Sequence, residues 1–392
     1  MLGKPDYILK MHSGVSVKTF KLDFSYCYKP NAYKYLDRWL QIVVRPGIEK
    51  LTLVMPEDEA VNLPCSILSD GNGSSIWYLH LVHCAFRPTD SLGFLGNLTV
   101  LHLDCVRITG DELGSLLFSC FALEQLKLRR CSEITCLKIP SLLQRLSYLQ
   151  VLECQRLRML KNEAPNIHSF HFTGDRVEVS LGESLRLKNL KMMCYRFLSY
   201  VREQLPSSAP NLETLSIFSH YELVNTSMAF ASSKFLHLKQ VGICIAGAYD
   251  YFSLVSFLDA APLLETFDLR ILTSLKSEDL SHLRRMPSGY RHDKLQRVKI
   301  SRFYCSKSLI ELTSHILETS ASLERLTLDT TDGRYNRIKC SDDRSEKCSH
   351  LASPMDAHKA VLAIGKHIKG IVPSTVKLDV VEPCSRCYPV EL

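Results

Sequence analysis

The stretch Leu123-Glu124-Gln125-Leu126-Lys127-Leu128-Arg129-Arg130-Cys131 narrows the possible folds more than any other part of this chain. Its spacing is L-x-x-L-x-L-x-x-C. Alternation sends Leu126 and Leu128 to one face of a short strand and Gln125, Lys127 and Arg129 to the other. Weaker copies begin at 17–22 and 48–53, recur at 76–81 and 98–103, and continue in a blurred unit between Leu146 and Cys154. Further copies lie at 166–172, 187–192, 212–217, 238–243, 264–269, 295–300 and 323–328. The anchor recurs about every 25 residues, and one helix with one strand is expected to make one repeat.

This is the signature of a leucine-rich repeat. The expected fold class is α/β: a solenoid with a curved parallel sheet on the concave side and helices and irregular segments on the convex side. Residues 33–43 place Leu36, Trp39, Leu40 and Val43 on one helical face, and Pro46-Gly47 ends that helix. Thr109-Gly110-Asp111-Glu112 reads as a capped helix start, and 253–258 and 310–317 as amphipathic helices on the outer side. The period wanders, which predicts irregular convex segments. Four regions are expected: a lead-in at 1–16, repeats at 17–329, a polar mobile insertion at 330–353, and a helix–strand cap at 354–392.

Composition removes several function classes. The net charge is +7, from 48 basic and 41 acidic residues, without a block of basic residues interleaved with aromatics, so no nucleic-acid partner is expected. No apolar run approaches the roughly 20 residues of a membrane span. Met1-Leu2-Gly3-Lys4-Pro5-Asp6 lacks the apolar segment of a secretory signal, so the 15 scattered cysteines read as reduced thiols of a cytoplasmic or nuclear protein.

The cysteines that end strand units read as structural. Cys84 and Cys131 share the L-x-L-x-x-C spacing, Cys105 sits one residue early, and Cys154 closes the blurred unit. Cys384-Ser385-Arg386-Cys387 is a C-x-x-C with Cys340, Cys348 and His350 upstream, but 340 to 348 is not a metal-knuckle spacing. These are read as separate thiols, and no metal or cofactor is expected. The acidic residues Glu124, Glu213, Glu265 and Glu324, each following the first leucine of a unit, read as solvated repeat features.

His80, His102 and His171 hold the middle outward position of their strands, as Lys127 does on its own. The row is either a recognition surface or a solvated face. Catalysis would require a nucleophile or carboxylate held against an imidazole, and the chain contains no G-x-S-x-G, H-E-x-x-H or P-loop, so no enzyme is expected. The candidate partner-binding surface is Tyr78, His80, Val100, His102, Asp104, Gln125, Lys127 and Arg129, expected side by side on successive strands with a target protein on the concave face.

Several segments together resemble plant F-box/leucine-rich-repeat proteins. They are His12-Ser13-Gly14-Val15-Ser16-Val17-Lys18-Thr19-Phe20, Leu36-Asp37-Arg38-Trp39-Leu40 and Pro46-Gly47-Ile48-Glu49-Lys50-Leu51-Thr52-Leu53. Ala164-Pro165-Asn166-Ile167-His168-Ser169-Phe170 and Ala209-Pro210-Asn211-Leu212-Glu213-Thr214-Leu215 fit the same group. The resemblance implies the substrate-recognition subunit of an SCF-type (cullin-type) ubiquitin ligase, in which a three-helix F-box grips the ligase adaptor and the repeats hold the target. The 16 residues before the first repeat are too few for that F-box, so this chain is expected to supply the target-binding half without adaptor binding. The alternatives are a stand-alone scaffold or competitor and an intracellular small-molecule receptor.

Overall fold

A computed structural model describes residues 17–25, 35–57, 61–68, 73–88, 95–175, 177–182, 184–195, 198–220, 234–247, 249–272, 283–284, 291–331 and 354–382. The expected lead-in, nearly all of the expected insertion (332–353) and Cys340, Cys348, His350, Cys384 and Cys387 lie outside the described residues. The chain divides into two compact units, 1–187 and 188–392.

The elements of the N-terminal unit begin with β1 (Thr19–Asp23), α1 (Leu36–Val43), β2 (Lys50–Val54), β3 (Val61–Leu63), β4 (Tyr78–Val82), β5 (Cys84–Phe86) and β6 (Val100–Asp104). They continue with α2 (Gly110–Phe118), β7 (Gln125–Arg129), β8 (Cys136–Ile139), β9 (Tyr148–Leu152), β10 (Met159–Asn162), β11 (Ser169–Thr173) and β12 (Glu178–Ser180). Its main sheet runs β1-β2-β4-β6-β7-β9-β11, every pair parallel. The two inward side chains of each middle strand are sealed: Leu79, Leu81, Leu101, Leu126 and Leu128 are fully buried. Helix α1 buries the four expected residues, Leu36, Trp39, Leu40 and Val43.

Backbone polar groups are accounted for strand by strand, as parallel sheets require. The residue before each strand offers one carbonyl to two successive amides of the next repeat. Thr99 O accepts from Glu124 and Gln125 N at 2.8 and 2.9 Å, and Glu124 O from Ser147 and Tyr148 N at 3.0 and 3.1 Å. At the exit, His83, Cys105, Arg130 and Glu153 adopt φ of 54, 52, 51 and 55°. This left-handed turn carries the ladder one step further, for example Cys105 N to Arg129 O at 2.8 Å. The following residue drops into the core. Cys131 Sγ there donates to Leu103 O and Arg129 O, both at 3.5 Å, and burial pushes the Cys84 thiol up to about 12. Cys105, the early cysteine, occupies the turn itself, and Val106 takes the buried seat.

The sequence reading of one helix per repeat is corrected in this unit. Two small parallel sheets, β3-β5 and β12-β10-β8, occupy several connections. Buried Asn162 caps the end of β10: its Nδ2 donates to Ala164 O (3.1 Å) and Leu181 O (3.4 Å), and its Oδ1 accepts from Ala164 N (3.1 Å). Helix α2 starts as expected, with Thr109 Oγ1 accepting from Glu112 N at 3.2 Å and Glu112 Oε2 from Thr109 N at 2.7 Å.

The C-terminal unit contains β13 (Asn189–Tyr195), α3 (Leu198–Glu203), α4 (Leu205–Ser208), β14 (Thr214–His220), β15 (Gln240–Ala246), α5 (Val255–Asp259) and β16 (Thr266–Ile271). It ends with β17 (Arg297–Ser301), α6 (Lys307–Thr319), β18 (Arg325–Asp329), α7 (Pro354–His367) and β19 (Lys377–Val381). The seven strands pair in parallel in chain order. Helix α7 and strand β19 lie within 354–392, and β19 pairs with β18. Helix α6 departs from the amphipathic expectation, because ten of its residues are buried, Glu311 among them. Arg284 satisfies that carboxylate: its Nη2 lies 2.7 Å from Glu311 Oε2 and 2.7 Å from Asp250 Oδ1. Among the described residues, no helix is long and apolar enough to cross a membrane.

Two positions test this backbone account. A Cβ at Gly110 would collide with the main-chain carbonyl of Cys136. Helix propensity alone favours Gly→Ala by up to about 1 kcal/mol, but an overpacked contact costs about 1–3 kcal/mol, more when backbone must yield. Gly110→Ala is therefore expected to destabilise by about 3 kcal/mol in chemical denaturation. At Cys105, Gly relieves the left-handed turn while Val is sterically forced. Cys105→Val is expected to cost about 1–3 kcal/mol and Cys105→Gly to lie within about 1 kcal/mol of the wild type.

Candidate interaction surface

The outward positions of the N-terminal sheet form three rows because the strands pair without stagger. One row aligns Lys50, Tyr78, Val100, Gln125 and Tyr148. The central row aligns Thr52, His80, His102, Lys127 and Gln150, with His171 next on β11. A third holds Val82, Asp104, Arg129 and Leu152. All eight residues expected on the partner-binding surface are thus on one sheet face, on the three adjacent strands β4, β6 and β7. Seven are half-buried and Arg129 is exposed.

Parallel strands lie about 4.8 Å apart, so rings in neighbouring strands must touch. Tyr78 and His102 centroids are 5.4 Å apart, His80 and His102 5.5 Å, both edge to face. Tyr78 Oη is 3.5 Å from His102 Nδ1, and His102 Nε2 is buried without a hydrogen-bond partner. Burial, then the charge of Lys127, then His80, pull the His102 imidazole down to about 4. Burial also lowers His80, with Asp104 partly offsetting it and Lys21 and Lys127 adding to it. Both rings are therefore neutral at pH 7. The cationic character comes from Lys127, whose Nζ sits 5.5 Å over the Tyr148 ring, and from Arg129, 3.3 Å from Asp104.

Several residues that complete this face were missing from the sequence-derived set. Tyr148 and Gln150 come from the blurred unit, where Gln150 Nε2 lies 3.1 Å from His171 Nδ1. Lys50 Nζ lies 4.5 Å over the Trp77 ring at the other end. The L-x-x-L grid could have found Tyr148 and Gln150, since Leu146, Leu149, Val151 and Cys154 keep its spacing. The C-terminal unit has a second polar face of the same construction, in which Asp268 aligns with Gly242 and Lys299. Burial raises the Asp268 carboxyl, and Lys299 and Arg270 partly offset that.

The neutral imidazoles give a stability test. A histidine whose folded pKa is lowered leaves the unfolded chain binding more protons between the two values, so stability falls as pH falls. For His102 the window runs from 6.5 down to about 4. Going from pH 7 to pH 5, the wild-type denaturation midpoint is expected to fall by more than that of His102→Gln. Equal slopes for the two proteins would mean that His102 protonates freely in the folded state.

Among curated proteins, none matches the chain. A family comparison does: residues 8–385 match the family described as At1g61320/AtMIF1, LRR domain. With repeat spacing, parallel sheet and nearly full-length match in agreement, the chain belongs to that leucine-rich-repeat family.

Proposed function

We propose that this chain is a protein-recognition module that holds a target protein on the outward sheet face of its N-terminal unit, and that it binds without catalysing a reaction. The observation that carries the reading is the cluster of half-buried aromatic, imidazole and cationic groups on two neighbouring rows, Tyr78 and Tyr148 on one and His80, His102 and Lys127 on the other, joined by ring and cation–π contacts. Tyr and Arg are enriched among residues that dominate interface energy, and leucine-rich-repeat domains generally bind proteins. Side chains held by neighbouring rings also lose little rotamer freedom on binding.

The finer reading comes from the resemblance to plant F-box/leucine-rich-repeat proteins: target recognition for an SCF-type ubiquitin ligase, in the cytoplasm or nucleus. The contest with a stand-alone scaffold turns on whether ligase adaptor and cullin subunits accompany the captured target.

The test uses the chain as bait in plant extract, followed by mass spectrometry, beside Lys127→Glu/Arg129→Glu. Both side chains lie on the surface. Their ion pair and cation–π contact are worth about 0–1 kcal/mol each, so the double variant should remain folded. Reversing two charges at the centre of the face is expected to reduce target capture more than about tenfold, a loss of about 1.4 kcal/mol or more. Undiminished capture by the folded double variant rules this face out. Capture of a target together with adaptor and cullin supports the ligase reading, and capture of a target without them supports the scaffold.

A further inference from the structure

We propose that Asp259, His292 and His315 in the C-terminal unit bind a divalent zinc ion. The three residues come from three places in the chain. Asp259 ends α5, His292 lies just before the anchor of the β17 repeat, and His315 is in the penultimate turn of α6. Contacts through Thr319 link two of them. His292 N donates to Thr319 O at 2.9 Å, and Thr319 Oγ1 donates to His315 O at 2.7 Å.

One ligand atom from each residue converges, all within 4.8 Å of one another. Asp259 Oδ1 and His292 Nε2 are 3.4 Å apart, with side chains only 12 % and 5 % exposed. His315 is 7 % exposed, and the edge of its ring meets Phe252, centroids 6.3 Å apart. Asp259 Oδ1, His292 Nε2 and His315 Nε2 are each buried, and none makes a hydrogen bond. Buried polar atoms without partners are rare in folded proteins. Three of them converging within 4.8 Å mark room for a common partner, and a divalent cation serves a carboxylate and two neutral imidazole nitrogens at once.

The donor set selects the ion. Two imidazole nitrogens with one carboxylate oxygen, and no thiolate, suit zinc, with a water as fourth ligand. Zinc–nitrogen bonds of about 2.0–2.1 Å place tetrahedral ligand atoms about 3.3 Å apart. The Asp259–His292 pair already has about that separation, and the third ligand atom lies within 4.8 Å of both.

The sequence reading expected no metal and did not single out these three residues; the fold alone brings them together. This inference is independent of the target-binding face.

The test uses the whole chain, stripped with chelator and loaded with Zn²⁺ or Co²⁺. The wild type is expected to retain one equivalent after gel filtration, to melt at a higher temperature with zinc, and to show the visible absorption of tetrahedral cobalt without a thiolate charge-transfer band. X-ray absorption on the zinc form should give a nitrogen/oxygen shell with imidazole scattering. Loss of a metal's second-shell partner costs 10–100-fold in affinity, so removing a ligand in Asp259→Asn or His315→Gln should cost more than about tenfold. His171→Gln, on the sheet face, should keep the ion. The proposal is overturned by no retained ion, by a sulfur-containing shell, or by unchanged affinity in a folded His315→Gln. Where a variant does not fold, the wild-type absorption data decide between the outcomes.

Discussion

Everything in each unit depends on one backbone arrangement, a carbonyl before each strand that accepts two successive amides from the next repeat. Lys18, Glu49, Trp77, Thr99, Glu124 and Ser147 perform it in the N-terminal unit, and Lys188, Glu213, Lys239, Glu265 and Gln296 in the C-terminal one. The arrangement locks neighbouring strands in step. A slip of one residue would turn every buried leucine outward and every histidine inward. Because no slip occurs, Leu126 and Leu128 stay sealed and Lys127 stays beside His102. Core and surface are two consequences of the same register.

That dependence explains what the sequence could reveal. Strand positions are written in apolar alternation, which is local, so each expected unit contains a strand beginning about two residues after its first anchor. The unit at 146–154 looked blurred because Leu152, an outward residue, is apolar and hides the alternation. The small sheets escaped because three- and four-residue strands such as Val61–Leu63 and Cys136–Ile139 have too few residues to display a period. Helix α6 departs from the amphipathic pattern because the partner that lets Glu311 be buried, Arg284, lies in another part of the chain. The eight surface residues were legible as rows. Their ring contacts were not, since contact between Tyr78 and His102 is a property of two strands in register.

The sheet face also shows why such a scaffold suits recognition. Main-chain bonds and inward leucines determine the backbone, so outward side chains can vary without changing the fold. On the N-terminal unit that freedom produces an uneven surface. Partial burial keeps His80 and His102 neutral, and the charge is concentrated on Lys127 and Arg129 beside Asp104. On the proposed reading a partner would meet aromatic and imidazole edges flanked by cations, a combination that favours an acidic or aromatic contact over a purely apolar one.

Buried polarity is handled differently at two places, and the contrast bears on the metal site. Asn162 is as deeply buried as any polar side chain among the described residues of the N-terminal unit, yet its amide donates to two carbonyls and its oxygen accepts an amide proton. Glu311 in α6 is sealed as well, and Arg284 neutralises it. Four residues further along the same helix, His315 lies beside His292 and Asp259, and none of the three converging atoms makes a hydrogen bond. A chain that furnishes hydrogen-bond or charge partners for Asn162 and Glu311 has left three convergent donor atoms of Asp259, His292 and His315 unserved. A cation supplied from solution completes that cluster by the same rule of satisfied buried polarity that governs the other two.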